Sequence, residues 1–473
     1  MQNLSTTPSI SMRNEFQGAR FGDARLSARL VVLAEALAGA PDRSLPQAIG
    51  GRSRLEAAYR FLSNAAVKLR RILEPHRAQT VERIAARSVA RVLHDTTACE
   101  FAGQREGLGP LGGAKHQGLL LHCSLAVSAD MRKQPLGVLC ARTWARDPAK
   151  SHRKGKHLSG PQYARIQGKE SDRWLQQIRE AEETVGDRAT LIHIADREAD
   201  MFGSLVALEH LRFVIRASRD RHLLVEDDDD LTALSDACWS APAIVELDVS
   251  LSPRPAPKGP KAANKARQTR TARLEIASTR VELKKPRYAP APGSISVNVV
   301  HVREINAPEN IESVQWVLYT SESVDTVDDV LSVVEHYRAR WLIEEFFKAL
   351  KTGCEFEKLQ LETFDALSNA LGVYLPIAWS ILLLRAVARS SPNAPATDVL
   401  TPTQLQVLRR FSSRKMPPEP SVQDAMLAVA VLGGYVSYAR PPGWLVLARG
   451  MQDLLRYDAV WRAAKADGDA LEQ

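Results

Sequence analysis

Apolar and polar residues follow a helical spacing near the amino terminus and a strand spacing after it. Residues 14–75 contain two amphipathic stretches, FGDARLSARLVVLAEALAG, with Asp23 as a capping residue, and LEAAYRFLSN. Next, RSVARVLHDTT runs as an apolar strand to Asp95, and GLLLHCSLAVSA and PLGVLCARTW form a hairpin-like pair around DMRKQ. The pattern therefore predicts a helical amino-terminal region followed by a sheet.

The middle of the chain alternates strands with helices. A polar helix in KESDRWLQQIREAEETVG precedes the buried strand ATLIHIAD, which ends on Asp196, the helix READMFGSLVAL and the strand LRFVIRAS. This order is typical of an α/β layered domain with a mixed sheet. Residues 222–312 interrupt it with short alternating strands around an acidic run at 226–230 and a basic segment at 253–273, so we predict a β-rich insertion there.

The segment YRARWLIEEFFKALKTG, residues 337–353, has the spacing of one long helix. On a helical repeat, Arg340, Glu344 and Lys351 fall at about 300–340° from Tyr337. Large apolar residues occupy the opposite face, at about 140–280°. The pattern predicts a narrow stripe of one tyrosine, two cations and one carboxylate. A solvated surface stripe and a functional one both fit this pattern.

Length and charge narrow the class of protein. The chain has 473 residues, more than one ordinary core accommodates, so we expect two or three domains. A formal net charge of +8 favours a polyanionic partner. Five scattered cysteines without a CxxC pair suit a reducing cytoplasm, and the first 16 residues contain no apolar run typical of a signal peptide. The apolar run at 373–384 contains Pro376 and is short for a membrane span, so we predict a buried core helix in a soluble intracellular protein.

Three carboxylates lie at predicted strand ends or on the polar face of a predicted helix. Asp95 and Asp196 each follow an apolar strand, and Glu344 lies on the polar stripe. Carboxylates at strand ends project into the crevice where ligands bind in α/β sheets. Oxygen ligands from separate elements suit Mg²⁺, and two such ions can support phosphoryl transfer. On position alone, a role in a turn or cap is favoured over a metal-binding role for Asp95.

HDTT at 94–97, ADREAD at 195–200 and the segment 337–353 resemble the signatures of bacterial DDE transposases. They are similar to the insertion-sequence-four (IS-four) family, close to the transposase of transposon Tn-five, whose third motif is Tyr-x₂-Arg-x₃-Glu-x₆-Lys. Tyr337, Arg340, Glu344 and Lys351 fill that motif. FGDARLSARL, EAAYRFLSN, VQWVLYTSE and LAVAVLGGY also resemble regions of this family. The likeness covers almost the whole chain.

The resemblance implies a ribonuclease-H-like fold in which the three carboxylates hold two Mg²⁺ ions, with Mn²⁺ able to substitute. It implies that Trp316 stacks on a flipped base, although an ordinary core tryptophan is an open alternative. Asp200 is expected on a helix surface or behind the metal ligands. The resemblance implies the following DNA-binding residues: Tyr337, Arg340, Lys351, Arg216, Arg25, Arg29 and Arg60. Arg60 could equally be a surface charge, and the basic segment at 253–273 could be a phosphate-binding loop or a solvated one.

We therefore expect a metal-dependent cut-and-paste DNA transposase that acts in the bacterial cytoplasm on transposon ends and target DNA. A DDE nuclease that does not join strands and a non-catalytic DNA-binding regulator are the alternatives. Three domains are predicted: a helical DNA-binding domain at 1–75, the catalytic domain at 76–365 and a helical dimerisation domain at 366–473. The apolar helix at 444–464 either pairs with a second subunit or folds back onto residues 366–440.

Overall fold

The computed structural model describes most of the chain. The described residues are 11–111, 116–147, 172–224, 233–251, 268–287, 289, 293–309, 311, 313–436 and 441–471, with side chains up to 464. The acidic run at 226–230 and most of the basic segment at 253–273 lie outside them. The described residues form two compact units. Unit 1 comprises those within 11–147, 180–190 and 341–471, and unit 2 comprises those within 172–179 and 191–340.

Unit 1 combines the helical ends of the chain with four strands. Its amino-terminal helices are α1 (Met12–Phe16), α2 (Ala24–Ala38), α3 (Leu45–Ile49), α4 (Arg52–Leu62) and α5 (Leu69–Ala85). Its strands are β1 (Val89–Glu100), β2 (Gly109–Pro110), β3 (Gln117–Ser128) and β4 (Pro135–Trp144). β3 pairs antiparallel with β1, β2 and β4, which confirms the predicted hairpin of β3 and β4. Helix α5 runs across residue 75, the predicted end of the first domain, and the three-domain division stays a prediction.

Unit 2 begins with residues 172–179 of helix α6 (Asp172–Val185) and contains a mixed sheet. Its remaining elements are β5 (Thr190–Ala195), α7 (Phe202–Ala207), β6 (Arg212–Arg216), α8 (Leu234–Ser240), β7 (Ala243–Leu251), β8 (Arg270–Lys284), β9 (Ser294–Ile305), β10 (Gln315–Thr320) and α9 (Val327–Ala339). β5 and β6 are parallel, whereas β6, β10, β9, β8 and β7 pair antiparallel in that order. The strands of the predicted β-rich insertion therefore extend this sheet.

Helices cover both faces of the unit 2 sheet. Phe202 of α7 and Cys238 of α8 belong to a buried apolar cluster with Val299 and Tyr319 of the sheet. Val317 packs against the same cluster, so its neighbour Trp316 points to the opposite face, where it contacts Tyr337 of α9. The predicted fold class, α/β with a mixed sheet and helical terminal regions, is confirmed and is consistent with a ribonuclease-H-like domain.

The carboxyl-terminal part of unit 1 is built around one buried helix. Its elements are α10 (Trp341–Lys348), a π-helical turn (Ala349–Gly353), a 3₁₀ turn (Phe356–Lys358), α11 (Phe364–Ser390), α12 (Pro402–Phe411), α13 (Val422–Leu432) and α14 (Trp444–Leu471). By length and composition α11 could cross a membrane, but 94% of its apolar window is buried within the protein. The prediction of a core helix is confirmed, although the helix is longer than the apolar run and continues through Pro376.

A buried charged network ties α1 to the rest of unit 1. Glu15 on α1 accepts hydrogen bonds from His76 Nδ1 (2.5 Å) and Arg83 Nη1 (2.8 Å) of α5. His76 Nε2 accepts the backbone N–H of Val138 on β4 at 2.9 Å, so His76 is neutral with its proton on Nδ1. The Arg83 guanidinium also lies 4.5 Å from the ring centroid of Trp379 on α11. These contacts join three helices and one strand.

The network sets the response of unit 1 to acid. Burial alone would raise the pKa of Glu15, but its contacts with His76 and Arg83 lower that pKa from 4.5 to about 2. Burial lowers the pKa of His76 below 6.5. For both residues the unfolded chain binds a proton at a higher pH than the folded chain does. Stability is therefore lost as pH falls, first below about 6.5 through His76 and then below about 4.5 through Glu15.

We expect the urea midpoint of the intact protein to decrease from pH 7 to pH 5, and His76→Gln to flatten this decrease. The difference in slope should approach about 1.4 kcal/mol per pH unit, the value for one proton. Exposed His210 offers a matched control, and His210→Gln should keep the wild-type slope. Identical slopes for His76→Gln and the wild type would contradict the assignment of a neutral buried His76.

Candidate DNA-processing site

Asp196 and Arg216 lie at the carboxyl ends of two adjacent parallel strands in unit 2. Asp196 directly follows β5, and Arg216 is the last residue of β6. The Asp196 carboxylate accepts the backbone N–H of Arg197 at 2.7 Å and thereby caps the 3₁₀ turn Arg197–Ala199. Asp196 is half-buried, whereas the neighbouring Glu198 is exposed. The position matches the crevice at strand ends that the sequence predicts.

Tyr337 joins these strand ends to helix α9. Its hydroxyl donates to Asp196 Oδ1 at 3.3 Å, and its ring meets the Trp316 ring edge-on with centroids 5.4 Å apart. The Arg340 guanidinium lies 5.9 Å from the centroid of the Tyr337 ring. Arg216 donates to the Gln315 carbonyl at 3.0 Å. Burial and the Asp196 charge raise the pKa of Tyr337 against the opposing effect of Arg216 and Arg340. Tyr337 is therefore a protonated donor to Asp196.

The prediction that Tyr337 shares an exposed stripe with Lys351 is wrong. Tyr337 is 5% exposed because its ring packs on Trp316, and only its hydroxyl reaches the polar group. The predicted single helix is also divided, since α9 ends at Ala339, α10 starts at Trp341 and the π turn follows at 349. A π turn adds a residue to the helical turn and so moves Lys351 off the predicted stripe. Trp341 itself is 51% exposed, with Lys348 Nζ 4.4 Å from its ring.

Asp95 and Glu344 both belong to unit 1, on elements that contact each other. Thr97 lies on the same face of β1 as Asp95 and is aligned across β3 with Thr143 of β4. Thr143 Oγ1 hydrogen-bonds Ser368 Oγ of α11 at 2.7 Å, so α11 covers the face to which Asp95 belongs. Glu344 is half-buried on α10, which contacts both β1 and α11. The structure thus places these two carboxylates on neighbouring elements.

Lys351 lies in the π turn and contacts the same strand as Asp95. Its ammonium donates to the carbonyl of Ala98 and lies 3.5 Å from Glu357 Oε1. Its side chain is 27% exposed to solvent. The Lys351 ammonium is therefore fixed at Ala98 of β1, which lies three residues after Asp95.

The predicted DNA-binding arginines of the amino-terminal helices are exposed. Arg25 and Arg29 are four residues apart on α2 and so share one face of that helix. Arg60 is exposed on α4, which contacts α2. Arg25 pairs with Asp23, the capping residue of α2, at 3.1 Å with 89% of its side chain in solvent. An exposed ion pair of this kind adds little stability, so Arg25 can exchange its partner for a phosphate at small cost.

Asp200 has a structural role that its sequence position does not reveal. It is 1% exposed, which makes the predicted helix-surface position wrong. Its carboxylate accepts Ser218 N–H at 2.6 Å and Arg219 N–H at 3.2 Å and forms a buried ion pair with Arg221. These bonds join the turn after Asp196 to the segment after Arg216. Asp200 thereby keeps the two strand-end residues in place.

The carboxylates offer the donor atoms that a divalent cation needs. Oxygen ligands from separate elements suit Mg²⁺ or Mn²⁺. Asp95 and Glu344 belong to unit 1 and Asp196 to unit 2. Within the part of the chain that the structure describes, no group of three or more His, Cys, Asp and Glu side chains is arranged as a metal site. The chemistry of the three carboxylates fits such an ion.

Comparison with known families agrees with this arrangement. Residues 11–67 match the family described as transposase DNA-binding, and residues 169–378 match the family described as transposase DDE domain. The first match contains Arg25, Arg29 and Arg60, and the second contains Asp196 and Glu344. The two matches support a DNA transposase of the DDE class, and domains of this class generally use divalent metal ions.

Asp200→Asn should lower the free energy of unfolding by about 3–5 kcal/mol, because it leaves the buried Arg221 charge without its partner. The double variant Asp200→Asn with Arg221→Gln should recover part of this loss. Asp220→Asn is the control, since Asp220 is exposed and bonds only Ser235 through the contacts described, and it should cost less than about 1 kcal/mol. Equal urea midpoints for Asp200→Asn and Asp220→Asn would contradict the structural role of Asp200.

Proposed function

We propose that the protein is a cut-and-paste DNA transposase of the insertion-sequence-four family, similar to the transposase of transposon Tn-five. The observation that carries the proposal is the DDE match over residues 169–378, which contains Asp196 and Glu344 and follows a DNA-binding match at 11–67. The filled motif of Tyr337, Arg340, Glu344 and Lys351 supports this family in particular. DNA as substrate and a formal net charge of +8 suit a bacterial cytoplasmic protein at the nucleoid.

The site would act on a phosphodiester at the transposon end. Asp95, Asp196 and Glu344 would hold divalent ions, two Mg²⁺ or Mn²⁺ in their place, which when bound supply charge neutralisation and activation of the attacking oxygen. Arg340, Arg216 and Lys351 supply positive charge for the DNA backbone. Phosphoryl transfer depends mainly on such positioning and charge stabilisation, so these residues need no covalent role.

Tyr337 would orient Asp196, and Trp316 would receive a base. The Tyr337 hydroxyl donates to Asp196 Oδ1 at 3.3 Å, which restricts the carboxylate to a narrow range of orientations. Trp316 is half-buried beside it, so part of its ring is open to stacking. Stacking of a flipped base on an aromatic ring contributes about 1–3 kcal/mol. Such stacking would stabilise the sharply bent strand of a hairpin end.

The reaction would run as successive phosphoryl transfers, two of them hydrolyses and two of them transesterifications. Water first hydrolyses one strand at the transposon end and leaves a 3′-hydroxyl. That hydroxyl attacks a phosphodiester of the opposite strand, displaces the 3′-hydroxyl of the flanking DNA and forms a hairpin, which a second hydrolysis reopens. The regenerated 3′-hydroxyl then attacks target DNA. An assay that follows strand joining separates this proposal from a DDE nuclease, and any cleavage separates it from a non-catalytic regulator.

Helix α14 has features of a dimer contact. Leu447, Met451 and Leu454 in its first half are at most 2% exposed, so this part folds back as one of the two sequence predictions had it. Val460 is 68% exposed and Trp461 37% exposed, which leaves an apolar patch at 460–461. Tyr457 and Phe411 lie stacked nearby with ring centroids 4.5 Å apart. We propose that this patch pairs two subunits when two transposon ends are brought together.

Replacement of the carboxylates tests the catalytic assignment. Asp95→Asn, Asp196→Asn and Glu344→Gln should each lower cleavage of end-containing DNA by about 10³-fold or more, because several kcal/mol of charge stabilisation are lost. End binding in a gel-shift assay should stay within a few-fold of wild type. Glu198→Gln removes an exposed carboxylate two residues from Asp196 and should cleave normally. Wild-type cleavage in Mg²⁺ by any one of the three variants would remove that residue from the site.

Point substitutions test the dimer contact better than truncation, because removal of α14 would open the core around Leu447 and Leu454. The double variant Val460→Asp with Trp461→Ala should bind single ends but lose the two-end complex and double-end cleavage. Val436→Asp is the control, since Val436 is 66% exposed outside the patch. If the double variant formed two-end complexes as Val436→Asp does in a native gel, the contact would lie elsewhere.

A further inference from the structure

The ammonium of Lys351 is held on two sides by the protein. It donates to the carbonyl of Ala98, and its Nζ lies 3.5 Å from Glu357 Oε1. An ammonium group carries three donors; one makes the hydrogen bond to Ala98, and the positive charge is paired with Glu357. A flexible four-carbon side chain held in this way loses most of its freedom before any ligand arrives.

Glu357 bonds the strand as well as the lysine. Its Oε1 accepts the backbone N–H of Glu100 at 2.9 Å. Ala98 and Glu100 both belong to β1, the strand that carries Asp95. One carboxylate therefore fixes the Lys351 ammonium relative to the strand of a predicted metal ligand.

The turn that carries Glu357 is anchored by a buried aromatic ring. Phe356 is fully buried, with its ring edge-on to Phe101 and Tyr374 at centroid distances of 5.8 and 5.5 Å. Lys358, the residue after Glu357, pairs with Glu355 at 2.5 Å. Glu357 instead pairs with Lys351. The packing of Phe356 therefore helps to fix the position of the Glu357 carboxylate, together with the contacts of its own side chain.

We propose that Glu357 is a positioning residue for DNA cleavage: it holds Lys351 so that another donor of its ammonium meets a phosphate at the DNA end. The inference rests on the proposed function, in which Lys351 binds a backbone phosphate. Glu357 itself does not contact the DNA. Its own negative charge repels the backbone, so its removal strengthens binding slightly while it loosens Lys351.

Cleavage should therefore fall without any loss of binding in Glu357→Gln, which keeps an oxygen acceptor for the Glu100 N–H. With full-length protein, Mg²⁺ and a duplex ending in the inverted repeat that flanks the gene, single-turnover cleavage should fall about 10- to 100-fold. The dissociation constant should stay equal or decrease by up to about threefold. Glu355→Gln is the matched control, because it removes the neighbouring acid that pairs with Lys358, and it should leave cleavage unchanged.

Double substitution ties the effect to Lys351. Lys351→Ala with Glu357→Gln should cleave within about twofold of Lys351→Ala alone, since Glu357 acts through the lysine. Wild-type cleavage by Glu357→Gln, weaker binding that accounts for its whole loss, or full additivity with Lys351→Ala would overturn the positioning role. Wild-type binding and cleavage by Lys351→Ala would instead overturn the phosphate contact in the proposed function. Urea midpoints of all variants show whether a loss arises from unfolding.

Discussion

A charge removed from water needs a partner, and this constraint assigns different roles to the acidic residues of the chain. Glu15, Asp200 and Glu345 are at most 6% exposed, and each is paired with at least one arginine. Loss of one partner would leave a buried charge uncompensated and cost several kcal/mol of stability. These paired acids therefore stabilise the fold. Asp95, Asp196 and Glu344 are only half-buried: Asp95 lies within β1, Asp196 follows β5, and Glu344 lies on a helix. Their carboxylates keep the partial access to solvent that a cation and a phosphate require.

The same constraint explains how the scaffold supports the site. Asp200 fixes the segments that follow Asp196 and Arg216, and the Glu15 network joins α1 to α5, β4 and α11. Phosphoryl transfer tolerates little error in the position of charged groups. Within unit 2, the buried pair of Asp200 and Arg221 therefore holds the segments that carry Asp196 and Arg216.

Local patterns predicted much of this arrangement. Apolar runs located β1, β3, β4, β5 and β6, and Asp196 follows β5 as predicted. The predicted strand end at Asp95 was wrong, because β1 continues to Glu100 and stays paired with β3. The prediction of an exposed Tyr337 was wrong. A helical wheel assumes one uninterrupted helix, so it cannot include the break at Arg340 or the π turn. It also cannot include the ring of Trp316, which packs against Tyr337. Long-range partners escaped prediction for a similar reason. The bonds of Arg83 to Glu15 and of Lys351 to Ala98 join residues 68 and 253 positions apart, and no local pattern records them.

We propose that Asp95, Asp196 and Glu344 bind the same divalent ions at a DNA end. Iron-mediated cleavage of the polypeptide tests it directly, since Fe²⁺ can replace Mg²⁺ at oxygen ligands and, with ascorbate and peroxide, cuts the nearby backbone. We expect cuts next to residues 95, 196 and 344 in the DNA-bound protein. Excess Mg²⁺ should suppress all three together. Cuts at only one of these positions, or at none of them, would contradict a shared metal site.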